Sequence, residues 1–168
     1  MVDENRGAVS ASPALDRELL DAKFSPPPRR PGLASRRALI ERAAGSGARV
    51  VAVTAPAGYG KTTLLAEWLT AGDEPPPRVA WLSLDEGDND PRRFLAHLVA
   101  SVDAGVETST LLETSGELPT DAVLTGLVND LDQLDGTTVL VLDDYHVITE
   151  PAVHDAVAFL LEHLPPRA

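Results

Sequence analysis

The stretch Val50–Thr63, Val-Val-Ala-Val-Thr-Ala-Pro-Ala-Gly-Tyr-Gly-Lys-Thr-Thr, constrains the fold more than any other part of the chain. Its β-branched start reads as a buried strand. A turn of small residues follows, and Gly-Lys-Thr then opens a helix. This strand, loop and helix order is the setting a phosphate-binding loop requires. Small residues let backbone N–H groups point at phosphate oxygens, and the helix N-terminus adds partial positive charge. Ala57, Gly58, Tyr59, Gly60, Lys61, Thr62 and Thr63 are the candidate nucleotide-binding residues. Lys61 has the reach and charge for the β- and γ-phosphates, and the Thr62 hydroxyl is a candidate Mg²⁺ ligand. One position departs from the usual pattern: Ala55 stands where glycine is expected.

Val139-Leu140-Val141-Leu142-Asp143-Asp144 is a second motif, an apolar strand ending in paired carboxylates. This is the Walker B pattern. Asp143 is the candidate for holding Mg²⁺, and Asp144 for orienting or activating the attacking water, with Lys61 completing the catalytic set. The plainer alternative is a buried strand that ends in a solvated Asp-Asp turn.

Trp81–Asp90 is a third feature, with carboxylates at Asp85, Glu86, Asp88 and Asp90. Their spacing does not fit a calcium loop, which needs a glutamate at its twelfth position. Helix capping into Pro91, with polar contacts near the nucleotide, fits better. Arg36, at a helix start, is a further candidate for contact with nucleotide. Tyr59 either packs on the base or covers the turn. His146 follows the paired aspartates, and His154 and His163 read as surface residues.

Residues 1–14 read as a disordered tail and 15–34 as an extended, proline-rich arm. Residues 35–168 read as an incomplete P-loop NTPase domain. Helices are expected over Arg36–Ala44 with Ser35 as cap, Lys61–Ala71 stopped by Gly72, from Pro91 onward, Asp121–Leu134 and Pro151–Leu164. The apolar face of the second is Leu64, Leu65 and Trp68. Phe94, Leu95, Leu98, Val99 and Val102 recur at helical spacing in the third. Strands are expected over Arg49–Thr54, Val79–Leu84 and Thr138–Leu142, and residues 103–118 read as loop. This alternation predicts an α/β fold with a mostly parallel sheet covered by helices, and a ligand at the carboxyl ends of the strands.

Composition narrows the function classes. Basic residues number 14 against 26 acidic, a net charge of −12. With no basic stripe, direct DNA binding is not expected. The chain has no cysteine, which removes disulfides and thiolate chemistry and suits a cytoplasmic protein. No apolar run reaches the roughly 18 residues of a membrane span. The first residues lack a secretory signal pattern.

The motifs together resemble the N-terminal ATPase part of MalT-like regulators, large bacterial LuxR-type transcription activators with a STAND-class ATPase. The resemblance is carried by Leu20–Pro27, the Arg36 helix start, Ala55–Trp68, Trp81–Asp90 and Val141–Ile148. Ala55 is common in that family. The resemblance implies an ATP/ADP switch with Mg²⁺, self-association of the ATP form or pairing with full-length relatives, and slow hydrolysis that resets it. It also implies that this chain is a truncated product. The sensor-arginine strand, the winged helix, the inducer-binding repeats and the DNA-binding helix-turn-helix would all lie beyond it. That strand is expected to pair between the phosphate-loop strand and the Walker B strand, so ATPase activity is expected only with the fold completed. A free-standing small-molecule kinase or ATPase is the alternative, disfavoured by the acidic region before Walker B. A non-catalytic remnant acting through protein contacts is another.

Overall fold

The computed structural model describes residues 22–28, 36–69, 77–103, 105–112 and 118–166. The elements are α1 (Arg37–Ala44), α2 (Lys61–Trp68), β1 (Arg78–Ser83), α3 (Pro91–Val102), α4 (Val106–Leu112), α5 (Thr120–Gln133), β2 (Thr138–Asp143) and α6 (Pro151–His163). Short 3-10 turns, Glu86–Asn89 and Tyr145–Val147, follow the strands.

Among the described residues the sheet is the parallel pair β1–β2, in register from Arg78 opposite Thr138 to Ser83 opposite Asp143. Leu84 N–H donates to the Asp143 carbonyl at 3.0 Å and extends the ladder past the strand ends. Ala80, Trp81 and Leu82 are all buried in sequence rather than alternately. Burial on both faces is the mark of a parallel strand covered by helices.

Helix α3 shows why the local sequence folds as it does. Asp90 caps it, its carboxylate accepting from Arg92 N at 2.8 Å and Arg93 N at 3.1 Å, and Pro91 occupies the first turn. Phe94, Leu95, Leu98, Val99 and Val102, spaced for one face, are all buried. They join Val123, Leu124, Leu127 and Leu131 of α5 and Val153, Ala156 and Leu160 of α6 in one core with the strands. Each fully buried aliphatic or aromatic side chain contributes about 1.5–3 kcal/mol.

Several expectations need correction. Arg49–Thr54 forms no strand: it lies outside the ladder, with Val50 51% exposed and Val51 36% exposed. Its β-branched residues favour extended chain, but a strand exists only where a neighbour takes up its N–H and C=O groups. Helix α2 ends at Trp68, with Leu69 as its cap, and residues 70–76, including Gly72, lie outside the described set. Leu64, Leu65 and Trp68 are only half-buried, and Ala66 is the buried residue of that helix.

Within the expected loop 103–118, Val106–Leu112 is helical. It is tied to α5 by polar contacts: Gly105 N and the Thr108 hydroxyl both donate to Asp130 Oδ2, at 2.9 and 2.7 Å. Leu111 and Leu112 also pack against the core, but a helix of 7 residues is too short to show its period in the sequence. Arg36, not Ser35, sits at the cap position of α1, without a side-chain cap bond. Ser35, residues 1–14 and most of the 15–34 arm lie outside the described residues.

Candidate nucleotide-binding site

The loop before α2 has the backbone its glycines permit. Gly58 and Gly60 take φ values of +79° and +73°, a left-handed region costly for residues with a Cβ. Gly60 caps α2, and Leu64 N donates to its carbonyl at 2.9 Å. The first N–H groups of a helix have no partner within it, which makes its N-terminus a favourable place for a phosphate. The Lys61 ammonium folds back on its own loop, donating to Ala55 O at 2.9 Å and Pro56 O at 3.4 Å.

Thr62 points to the other motif. Its hydroxyl donates to Asp143 Oδ1 at 3.2 Å, across 81 residues of sequence. Asp143, the last residue of β2, is 5% exposed, and the same Oδ1 accepts from Asp144 N at 3.1 Å. A nearly buried carboxylate beside a hydroxyl, both hard oxygen donors, fits Mg²⁺, which typically takes few protein ligands and completes its shell with water and phosphate. Among the described residues no group of three or more His, Cys, Asp or Glu forms a fuller metal cage.

Asp144 follows directly at the end of β2. It is exposed, with φ +58°, an uncommon conformation for a residue that is not glycine. Its carboxylate is 3.7 Å from His146 Nδ1. Arg36 is brought to the loop as well: a Cβ on Gly60 would lie 3.5 Å from its guanidinium. Its backbone N–H donates to Glu67 Oε2 at 3.4 Å. Thr63 is half-buried on α2, Ala57 is exposed in the turn, and Tyr59 is 61% exposed. The structure thus gathers Lys61, Thr62, Asp143, Asp144 and Arg36 around one loop.

The acidic stretch after β1 is a capping box. Asp85 accepts from Gly87 N at 2.8 Å, and Asp88 Oδ2 accepts from Asp85 N at 2.8 Å. Asp88 is fully buried, within 2.7 Å of both Lys23 Nζ and His97 Nδ1. Lys23 also meets Asp85 at 2.8 Å. That bond, aided by Gly87 N–H and Arg93, holds the Asp85 carboxyl below its ordinary 3.8 against the opposing effect of burial. Burial pushes the Tyr145 phenol up, and its hydroxyl lies 2.6 Å from His154 Nδ1. His154 and His163 are exposed, as expected. Neither the Lys23 contacts nor the role of Asn89 is readable from the sequence, because their partners lie some sixty residues downstream.

A fold of this class with this loop defines a P-loop NTPase, a nucleotide-binding domain. A family model for the AAA domain matches residues 42–165, and the chain belongs to that family. It is 36% identical over 153 residues to the HTH-type transcriptional regulator MalT of Yersinia enterocolitica serotype O:8. It is 34% identical over 153 residues to the protein of the same name from Cronobacter sakazakii. Each alignment covers 88% of this chain and 16% of the relative, so the chain spans about a sixth of these regulators. The resemblance to the ATPase part of MalT-like regulators is borne out. No described helix is long and apolar enough to cross a membrane.

Proposed function

We propose that the chain is the ATP/ADP-binding, signal-transducing ATPase module of a MalT-like transcription activator, in which nucleotide switches self-association. The observation that carries this reading is the Thr62–Asp143 hydrogen bond, which joins the phosphate loop to the end of the Walker B strand.

Lys61 leaves its loop carbonyls to meet the β- and γ-phosphates, while the N–H groups from Gly58 to Thr63 cradle them. Thr62 and Asp143 hold Mg²⁺, which when bound neutralises charge on the phosphates. Asp144, exposed after the end of β2, orients the attacking water and accepts its proton. Arg36, whose guanidinium lies beside Gly60, contacts the nucleotide as well. Hydrolysis is slow and resets the switch.

The acidic charge of −12 argues against direct DNA binding. Regulation then runs through protein contact, with a second copy or a full-length relative, in the cytoplasm. The test is calorimetry with Mg·ATP and Mg·ADP on the wild type and Lys61→Ala. Loss of a charge-assisted contact worth about 1.5–3 kcal/mol weakens binding roughly tenfold to a hundredfold. Equal affinity in both proteins contradicts the assignment.

A further inference from the structure

The loop that carries Asp144 is fastened from an unexpected place. Asn89, at the end of the 3-10 turn after β1, reaches across to the segment after β2. Its Oδ1 accepts from Thr149 N at 2.7 Å, Glu150 N at 3.0 Å and the Thr149 hydroxyl at 3.2 Å. Its Nδ2 donates to Val147 O at 3.0 Å and Glu86 O at 3.1 Å. The amide orientation is fixed by these partners, because the reverse would set donors against donors.

Val147 closes the connection. Its N–H donates to Asp144 O at 3.1 Å, and Ile148 N donates to Tyr145 O at 3.1 Å. Val147 is therefore set between Asn89 and Asp144, its C=O held by the first and its N–H by the second. Asp144 heads this turn at φ +58°, ψ +29°, a conformation that persists only where the surroundings over-determine it. The Asn89 end of the tether is itself rigid. The neighbouring Asp88 is buried under Lys23 Nζ and His97 Nδ1, and its carboxylate accepts from Asp85 N.

We infer that Asn89 is a positioning residue for Asp144: its amide fixes the Tyr145–Val147 turn and so aims the Asp144 carboxylate at the water it activates. This deepens the reading of Asp144 given above and rests on it. A displacement of about 1 Å at a reacting group costs up to about a hundredfold in rate. Ground-state nucleotide binding, made by the phosphate loop, is left alone.

The test follows Mg·ATP turnover of this chain with the further strand that the family resemblance implies supplied in cis, from the segment that follows the matching region in a MalT relative, and amide exchange in the chain itself. In Asn89→Ala, kcat falls about tenfold or more while KM moves less than about twofold. Asn89→Asp keeps the acceptor for Thr149 and Glu150 but loses the donor to Val147, and lies between wild type and Asn89→Ala. In an Asp144→Asn background, Asn89→Ala lowers kcat no further. Amide hydrogen exchange at Thr149 and Glu150 quickens in Asn89→Ala, independently of turnover. Unchanged exchange at those amides overturns the inference. So does a loss of kcat that is equal in the wild-type and Asp144→Asn backgrounds, since that marks a merely structural role. Turnover unaffected by Asp144→Asn alone refutes the role of Asp144; the exchange measurement then still decides whether the tether exists.

Discussion

The part of the molecule built on β1, β2, α3, α5 and α6 and the part built on the phosphate loop and α2 are held by different means. In the first, Trp81, Leu82, Phe94, Leu98, Val123, Leu127 and Val153 are fully excluded from water. In the second, Val50, Val51 and Tyr59 are exposed, and Ala66 is the buried residue of α2. Polar contacts link the second to the first. Thr62 binds Asp143, and Arg49 donates to the carbonyls of Leu164 and Pro165. The phosphate-binding half thus exposes more of its apolar side chains, while the Walker B half is placed by a closed core. Regions with few buried apolar contacts open at low free-energy cost, and switching elements are drawn from them.

The comparison breaks most visibly on core truncation. Phe94→Ala is expected to lower stability by about 3–5 kcal/mol. Leu65→Ala in α2, half-buried, should cost well under half of that. Urea denaturation followed by far-UV circular dichroism checks both. Equal losses would mean that the two regions share one core.

A smaller effect is expected at Gly60. Alanine there meets the cost of the left-handed region, about 1–2 kcal/mol, and approaches the Arg36 guanidinium. Gly60→Ala should weaken nucleotide binding while leaving the core transition nearly unmoved. A calorimetric titration beside a thermal melt separates the two, and unaltered affinity would show that the loop tolerates another backbone.

The least effect belongs to pH at the arm. Lys23 holds the Asp85 carboxyl below 3.8. A depressed folded value contributes stability present above the unfolded value and lost as pH falls through the folded one. Arm docking through Lys23 should therefore persist at neutral pH and loosen only in acid below 3.8. Lys23→Met should return Asp85 toward its ordinary value in a carboxyl-carbon NMR titration. An Asp85 that titrates identically in both proteins contradicts this cause.

What could be read from the sequence follows the same division. The stripe from Phe94 to Val102 and the termini of β1 and β2 were legible to within a residue, because periodic apolar burial and turn chemistry are local signals. The meeting of Thr62 with Asp143 was legible because a phosphate loop and a Walker B strand fix their residue types at helix and strand ends. Arg49–Thr54 misled, since propensity records what a residue favours and not whether a neighbouring strand is there. Helix α4 was hidden because its seven residues are too few to show a helical period, and its anchor at Asp130 is distant in sequence. Asn89 was hidden because its partners Val147 and Glu150 lie 58 and 61 residues away.

The central claim is that Thr62 and Asp143 form one metal-linked half of a nucleotide site. The most direct measurement is ATP affinity by calorimetry with Mg²⁺ and with EDTA, in wild type, Thr62→Ala and Asp143→Asn. In the wild type Mg²⁺ should tighten ATP binding, and in either variant that enhancement should shrink by about tenfold, with little change in the EDTA arm. An Mg²⁺ enhancement of the same size in wild type and both variants would contradict the account.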